Sequence, residues 1–408
     1  MSHPNATISD ELNAKEIVSP YLEECRNSHD YSRFMGSTHD SVIILKYQKK
    51  GHGDNIVFPM FRTGEPFVAV NEEPLEGSND ATENSSLIVD ADTLQIGTVR
   101  YATEVKNVPL TELITNLDLM KEVKENLARQ TETLTNKRVT HAFVRALLSE
   151  NNDIQTAVIN KQFTDTTLLE KMELLTIEKK KSYSRILIGN PRIDLAKKSH
   201  TTLALARKDI LDDEGRGQSH GMSVAHIRQL YAQASSGKAL QGDKETPIQF
   251  YKTGKAVYDN FPTNCYALFI PPEAYNQLTL DEEWRAQVSR GWIEKPSQPS
   301  TLNGSQFKGM IEGVSVFTNR NLSPFILKKG EHASSVAYSV LCGAAALVFG
   351  QGTVPYFTAN SINNFGRVQA IEHNEISAIK ALMYKSLKPD NDDYKVENSI
   401  IHSFTSLE

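Results

Sequence analysis

The residues best suited to chemistry are a small group of histidines and carboxylates in the middle of the chain. His220 and His226 follow closely on Asp212, Asp213 and Glu214, and imidazole and carboxylate groups are common metal ligands. Their spacing matches no frequent metal motif, and surface histidines in a loop are the default interpretation. We therefore expect no metal site, and a metal-dependent hydrolase is the weakest functional alternative.

Other chemical motifs give little support for an enzyme. The sequence contains no GxxxxGKS phosphate loop, no HExxH zinc motif and no GxGxxG dinucleotide fingerprint. Gly350-Gln351-Gly352 could approach a phosphate, but we place it at the end of a helix, where carbonyls rather than amides are exposed. The prediction is a chain that is not an enzyme, with no catalytic residues, no cofactor and no bound metal.

Composition sets the class of protein. The chain has 408 residues, 39% of them apolar, which favours two or more domains with ordinary cores. Its three cysteines are far apart and odd in number, which predicts free thiols and a cytoplasmic setting. The longest apolar run, residues 336–349, is too short to span a bilayer. A net charge of −6 argues against a surface that binds nucleic acid throughout.

A long helix dominates the predicted elements. Apolar residues recur at helical spacing, namely Leu113, Leu117, Met120, Leu127 and Leu134. Charged residues fill the opposite positions, which predicts an amphipathic helix over residues 113–148, about 50 Å long. Three threonines weaken its middle, so two helices joined by a bend remain an alternative.

The first third of the chain predicts an arm and strands. Residues up to Met35 look like an extended, loosely held arm. Residues 42–45 and 55–59 predict two strands that form a hairpin across the Gly51-His52-Gly53 turn.

The second half alternates strands with helices, which indicates an α+β core. Residues 265–270 predict a buried strand feeding helices at 273–278 and 282–288, the latter capped by Asp281. Residues 309–318 predict one strand and residues 334–349 a tightly packed helix ended by Gly350. Residues 368–371 and 400–401 could return the chain to a sheet.

Two segments carry opposite charge. Residues 51–105 contain ten carboxylates, two arginines and no lysine, and residues 161–208 have a net charge of +6. We predict an acidic hairpin with strands at 66–70 and 87–91 that is too small to be stable alone and needs a partner surface. Each segment could instead be a solvated face, and the basic one could contact nucleic acid or the acidic hairpin of another copy. The candidate inter-subunit contacts are Glu65, Glu72, Glu73, Glu76, Asp80, Lys179, Lys180, Lys181 and Arg185.

The order of several short motifs resembles the major capsid proteins of the tailed phage N-four group. The resemblance covers roughly residues 30–350, and each motif alone is short. The motifs are Arg33-Phe34-Met35, Gly53-Asp54-Asn55-Ile56-Val57-Phe58, Pro74-Leu75-Glu76-Gly77, Leu87-Ile88-Val89-Asp90, Asn126-Leu127-Ala128-Arg129 and Gly309-Met310-Ile311-Glu312-Gly313-Val314. The family's second acidic pair after Leu-Glu-Gly appears here as Asn79-Asp80.

The resemblance implies the Hong Kong 97 capsid fold. Its expected parts are an N-terminal arm with the first strands (1–55), an extended β-hairpin loop (56–105), a peripheral domain (106–192 and 366–408) with a spine helix (113–148), and an axial domain (193–365). It implies a virion shell of hexamers and pentamers around double-stranded DNA, assembled in the host cytoplasm. Separate scaffolding, portal and decoration proteins are further expected partners, and no membrane is expected.

Three further expectations follow from the resemblance. A bacterial nanocompartment shell is the alternative within the same fold, and would differ in lacking a DNA genome and binding a cargo peptide. We expect no covalent cross-link from the extended loop, because residues 51–105 lack the lysine that the fold's namesake uses. We also expect no built-in scaffold ahead of the arm, since the first strand begins near Val42.

Overall fold

The structure, a computed structural model, is a mixed α and β fold. It describes residues 30–49, 51–63, 87–106, 119–148, 185–188, 221–237, 246–252, 264–289, 306–322, 325–329, 332–361, 368–385 and 395–406. The strands are β1 (Met35–Gly36), β2 (Ile43–Tyr47), β3 (Asn55–Thr63), β4 (Leu87–Gln95), β5 (Gly97–Lys106), β6 (Ile186–Ile188), β7 (Tyr251–Lys252), β8 (Asn264–Ile270), β9 (Phe307–Ile311), β10 (Val314–Thr318), β11 (Phe325–Lys329), β12 (His332–Cys342), β13 (Leu347–Ser361), β14 (Val368–Ala381), β15 (Met383–Lys385), β16 (Lys395–Glu397) and β17 (Ile400–Ser406). The helices described are a short 3₁₀ turn (Ser32–Phe34), α1 (Leu119–Leu148), α2 (Val224–Ser236), α3 (Pro272–Leu278) and α4 (Glu282–Ser289).

Two main sheets organise these strands. One has five strands in the order β1-β2-β13-β14-β5, and β2 runs parallel to β13, although the two strands are far apart in sequence. The other has eight strands along the path β6-β17-β12-β8-β10-β9, with β11 and β7 pairing at its sides. Two small sheets, β3-β4 and β15-β16, complete the described pairing. The predicted hairpin of β2 with β3 is wrong, because β3 pairs with β4 instead.

The strand predicted at 265–270 is confirmed and is apolar throughout because both of its faces are covered. Cys265, Ala267 and Phe269 lie in a core that also contains residues of α1 and β13. Tyr266, Leu268 and Ile270 lie in a second core under α2, α3 and α4. A strand covered on both sides has no polar face to alternate with its apolar one.

Helices α3 and α4, which cover part of the second core, are confirmed near their predicted positions, whereas α2 was not predicted. Asp281 caps α4, accepting the backbone N–H of Glu283 at 2.8 Å. Arg228 on α2 bonds Glu283 at 2.9 Å and Glu312 at 2.7 Å, which ties α2 to α4 and to the turn between β9 and β10. That turn corrects the single strand predicted at 309–318: Glu312 and Gly313 both have positive φ and reverse the chain.

The long helix is confirmed over Leu119–Leu148, and residues 113–118 lie outside the described residues. Val139 and Phe143 are buried, whereas Leu134, the one member of the predicted stripe whose side chain is described, is 36% exposed. No described helix is both long and apolar enough to cross a membrane.

The segment before β1 is held firmly rather than loosely in the part that the structure describes. Tyr31 is 0% exposed and its hydroxyl lies 3.2 Å from Thr140 on α1. Phe34 packs edge-on against Phe269 and Phe317 of the eight-stranded sheet. Burial raises the pKa of Tyr31 well above its ordinary value, so this phenol stays neutral. The segment therefore joins α1 to the eight-stranded sheet.

The helix predicted at 334–349 is wrong. These residues form the end of β12, a tight corner and the start of β13. Their small apolar side chains are buried on both faces, so the period-2 signal of a strand is absent and the spacing imitates a helix. At the corner, Gly343 has no space for a side chain, since a Cβ there would lie 2.3 Å from the carbonyl of Gln249.

Candidate functional site

The β3-β4 ribbon has one buried face and one exposed face. Side chains alternate over residues 55–60 and 91–96: the buried members are Ile56, Phe58, Met60, Asp92, Leu94 and Ile96, and the exposed members include Asn55, Val57, Ala91, Thr93 and Gln95. Residues 64–86, which connect the strands and carry six carboxylates and no basic residue, lie outside the described residues. The predicted strand at 87–91 is confirmed, and the one at 66–70 lies outside the described residues. We call residues 55–63 and 87–96 the hairpin base.

The hairpin base finds its partner surface within its own subunit. Its apolar side chains pack against Ile44 of β2, Val348 of β13, and Leu382, Tyr384 and Val396 around the β15-β16 sheet. Each fully buried large apolar side chain contributes roughly 1.5–3 kcal/mol. The base is therefore part of the subunit core. The expectation that all of residues 51–105 need a neighbouring surface does not hold for the base.

Gly350 lets the hairpin base come close to the sheet. A Cβ at this position would lie 2.9 Å from Leu94 Cδ2 and 3.0 Å from Ile56 Cδ1. The prediction that Gly350-Gln351-Gly352 ends a helix is therefore wrong. Gly350 lies within β13, opposite Ala378 of β14, where the absence of a side chain makes room for the ribbon.

Polar contacts add direction to this apolar docking. Asp92, 3% exposed, accepts hydrogen bonds from Lys380 Nζ at 2.8 Å and from the backbone N–H of Met383 at 3.2 Å. Lys46 Nζ donates to the carbonyl of Val57 at 2.8 Å. The hydrogen bonds of Asp92 connect β4 to the subunit body, and the hydrogen bond to Val57 connects β3 to it.

A second buried carboxylate ties the long helix to the five-stranded sheet. Arg138 of α1 bonds Glu375 of β14 and donates to Ser377 Oγ at 2.7 Å. Burial alone would raise the pKa of Glu375, but His373, Arg138 and Ser377 outweigh it and lower that pKa to about 2. Glu375 is therefore ionised at neutral pH. The guanidinium of Arg138 also lies over the ring of Phe349.

Most of the predicted contact residues cannot be placed. Glu65, Glu72, Glu73, Glu76, Asp80, Lys179, Lys180 and Lys181 lie outside the described residues.

Arg185 is a correction to the predicted contacts, because it is 1% exposed and serves the interior of the subunit. Its Nε donates to the carbonyl of Glu397 at 3.0 Å, and its Nη2 donates to the carbonyl of Thr246 at 2.7 Å and to the Tyr384 hydroxyl at 3.1 Å. We expected Arg185 to be exposed because it lies in a basic run, but its guanidinium hydrogen-bonds three segments inside the subunit.

The metal hypothesis gains no support. His220, Asp212, Asp213 and Glu214 lie outside the described residues. His226 is not on the surface: it is buried in α2, with its Nε2 2.6 Å from Ser403 Oγ. Within the described part of the chain, no three His, Cys, Asp or Glu residues lie close enough to hold a metal.

One short motif near these histidines deserves a structural comparison. Gly217-Gln218-Ser219-His220-Gly221 matches the GxSxG pattern of a nucleophile elbow, in which the serine sits on a sharp strand-to-helix turn. Here α2 begins only at Val224, where Ser223 is the N-cap. Ser219 itself lies outside the described residues. A five-residue match without its structural context does not indicate a hydrolase.

Sequence reasoning missed the buried carboxylates Asp92 and Glu375. Asp92 was counted among ten acidic residues, although it shares its strand face with Leu94 and Ile96, two and four residues on. A carboxylate in register with apolar residues on one strand face predicts a buried charge. Glu375 offered none, because its partner Arg138 is distant in sequence.

Solved phage capsids resemble the chain along nearly its whole length. The capsid of Ralstonia phage GP4 matches with a TM-score of 0.60 at 16% identity, covering 92% of this chain and 90% of that chain. The capsid of cyanophage Pam1 matches with a TM-score of 0.58 at 14% identity, covering 92% of each chain. The head structure of Helicobacter pylori bacteriophage KHP40 matches with a TM-score of 0.57 at 13% identity, covering 93% and 91%.

These matches define the class of fold. The chain is a mixed α and β protein with the fold of tailed-phage capsid proteins. No model of a known protein family matches the sequence, and no curated protein matches it. The likeness therefore lies in the three-dimensional arrangement and not in sequence identity.

Proposed function

We propose that this chain is a major capsid protein that assembles into the icosahedral shell of a tailed phage and encloses its double-stranded DNA. The observation that carries the proposal is the likeness to three phage capsid structures over about nine-tenths of both chains, with TM-scores of 0.57 to 0.60. The order of short sequence motifs, which resembles that of the phage N-four group, also supports this proposal. In this role the chain is structural and has no catalysis of its own.

We assign the parts of the Hong Kong 97 fold as follows. Residues 1–55 are the N-terminal arm and first strands, 56–105 the extended loop, 106–192 and 366–408 the peripheral domain, and 193–365 the axial domain. Helix α1 is the spine helix of the peripheral domain. The 30-residue length of α1 and its ion pair with β14 support this assignment.

The hairpin base suggests how neighbouring copies engage. Its two strands pack against the subunit body, and residues 64–86, which connect them, contain six carboxylates and no basic residue. We propose that Glu65, Glu72, Glu73, Glu76 and Asp80 contact a neighbouring copy, with Lys179, Lys180 and Lys181 as candidate partners. Exposed ion pairs of this kind are weak singly and are screened by salt, so they act by number.

The remaining partners follow from the same role. The shell consists of hexamers and pentamers, contacts packaged DNA non-specifically on its inner face, and is joined by a portal and, where used, by scaffolding or decoration proteins. Assembly takes place in the host cytoplasm, and the finished protein resides in the virion. The loop lysine needed for cross-linking is absent from 51–105. Denaturing electrophoresis of particles should therefore give one band at 45.5 kDa, and a ladder would contradict a non-covalent shell.

Electron microscopy of the purified protein, alone and with its scaffolding partner, tests the proposal. Closed shells with an icosahedral lattice are expected. A protein that stays monomeric in all salt and crowding conditions would overturn it. Particles that bind a cargo peptide and exclude DNA would favour a nanocompartment shell, and a small oligomer with stoichiometric metal would favour a hydrolase.

A further inference from the structure

The buried face of the hairpin base contains one acidic side chain among apolar ones. Asp92 lies on the same face as Leu94 of β4 and Ile96, which directly follows that strand, and opposite Phe58 of β3. At 3% exposure it is as buried as its apolar neighbours. A carboxylate costs several kcal/mol to move out of water, so its presence on this face requires compensating contacts.

Both body contacts of Asp92 come from one short stretch of the subunit. Lys380 near the end of β14 donates to Oδ1 at 2.8 Å, and the N–H of Met383 at the start of β15 donates to Oδ2 at 3.2 Å. Lys380 also donates to the carbonyl of Thr93 at 3.3 Å. The carboxylate is thus bonded through both oxygens to the segment on which the ribbon lies.

Such a pair adds direction more than stability. Apolar contact is non-directional and tolerates small shifts of one surface over another, whereas charged hydrogen bonds are satisfied in one geometry. Replacing a buried ion pair by apolar residues of similar size is often neutral or stabilising. A slip of β4 by one residue against β3 would turn Asp92 outward and bury Thr93 instead.

We propose that Asp92 is a positioning residue: with Lys380 and the Met383 N–H it fixes where the hairpin base lies on the body, and so the position of the strand ends that residues 64–86 connect. The consequence for assembly rests on the proposed function. The positioning itself is a property of the single subunit and can be measured without shells.

The first test measures position in the unassembled subunit. Spin labels at Val57→Cys on the ribbon and Leu280→Cys on the body, both exposed positions, are introduced in a Cys25→Ser background. We expect one narrow distance distribution in the otherwise unchanged protein. In Asp92→Leu/Lys380→Met we expect a distribution at least twice as broad or a second distance, with an unchanged or higher melting temperature. One equally narrow distance in the variant would overturn the proposal.

Asp92→Asn provides a second, milder variant in case the double variant does not fold. It keeps the shape and an acceptor for the Met383 N–H but removes the charge that pairs with Lys380. We expect intermediate broadening in the same measurement. An unchanged distribution here, with a folded subunit, would also overturn the proposal.

The second test measures assembly. We expect the Asp92→Leu/Lys380→Met subunit to yield at least tenfold fewer regular shells, whereas the control Arg228→Gln/Glu283→Gln, which removes an exposed ion pair away from the hairpin, should assemble normally. Normal shell yield from the Asp92 variant would contradict the role in assembly. If the unmodified protein forms no shells, the proposed function fails, while the spin-label distances still decide whether Asp92 positions the ribbon.

Discussion

Asp92 and Glu375 are two buried carboxylates that do different work in the same subunit. Glu375 lies in the five-stranded sheet and is bonded by Arg138 of the long helix and by Ser377 on its own strand. Asp92 lies on a two-stranded ribbon and is bonded by Lys380, whose side chain is 39% exposed. The first joins two large elements of the core, and the second joins a small element to the body.

The difference shows how burial decides the value of an ion pair. Arg138 cannot leave Glu375 without exposing an uncompensated charge inside the core, which typically costs 3–5 kcal/mol. Lys380 reaches Asp92 from the solvent side, so water can partly replace it. We therefore expect the Glu375 pair to control stability and the Asp92 pair to control geometry.

The largest effect should come from where the hairpin is cut. A Gly-Ser turn in place of residues 64–86 leaves the hairpin base intact, so we expect a folded subunit that forms no shells. A Gly-Ser turn in place of residues 65–95 also removes Leu94 and Asp92. Loss of Leu94 alone should cost roughly 2–5 kcal/mol. Thermal unfolding and sedimentation distinguish the two variants.

A folded 65–95 variant would mean that the base is dispensable to the core. Normal shells from the 64–86 variant would show that the loop has no part in assembly.

Breaking the clamp on the long helix comes next. Arg138→Met leaves Glu375 buried without its cation, and we expect a loss of about 3–5 kcal/mol in the free energy of unfolding. Urea denaturation measures it, and Arg129→Met, an exposed position on the same helix, is the control. A loss below about 1 kcal/mol would show that the clamp is not part of the stabilising core.

Acid should weaken the same clamp. Because the pKa of Glu375 is lowered from 4.5 to about 2 in the folded state, its contribution is fully present above pH 4.5 and is lost as pH falls toward 2. At pH 7 we expect Glu375→Gln to lose about 3 kcal/mol, and the gap from the unmodified protein to narrow below pH 4.5. Denaturation at pH 7, 4 and 2.5 checks this. If the difference in unfolding free energy between the two proteins stays constant over this range, ionisation of Glu375 does not cause it.

Gly350→Ala should have a smaller effect, confined to the hairpin side. The added methyl would push against Leu94 and Ile56, whose side chains can shift, so we expect a cost of about 1–3 kcal/mol. Hydrogen exchange should rise in β3 and β4 while α1 stays protected. Equal loosening of α1 would mean that the two regions unfold as one unit.

The smallest effect is expected at the surface. Arg228→Gln removes bonds to Glu283 and Glu312, all partly exposed, so the free energy of unfolding should fall by less than about 1 kcal/mol. The loss should shrink further in 1 M salt, because exposed charges are screened. A loss above about 2 kcal/mol that does not depend on salt would show that this network stabilises the subunit as a buried ion pair does.

Local patterns predicted the elements whose signals are local. The uniform apolar run of β8 and the Asp281 cap of α4 depend on residues within a few positions, and both were found as expected. The turn at Glu312-Gly313 was missed because a glutamate at positive φ carries no sequence signature.

The remaining features depend on contacts between distant residues. Ala337 and Leu341 imitate a helix because both faces of β12 are buried in apolar cores, which cannot be known before the sheet is assembled. The pairing of β2 with β13 rather than β3 likewise depends on Leu347 meeting Ile43. For the candidate site, the strand at 87–91 was predicted, but its partner was expected at 66–70 and is β3. The base was placed outside the core because the residues that receive it, such as Ile44 and Leu382, are distant from β4 in sequence.

The parallel pairing of Ile43 with Leu347 has a consequence for how the protein is made. A ribosome adds about 5–20 residues per second, so β2 waits on the order of 15–60 s for its partner strand. Pairing across such a distance is slow and leaves an unpaired edge exposed in the meantime. The five-stranded sheet, and with it the site that receives the hairpin base, can form only on nearly complete chains. Truncated translation products would therefore lack the receiving surface and be excluded from any ordered lattice.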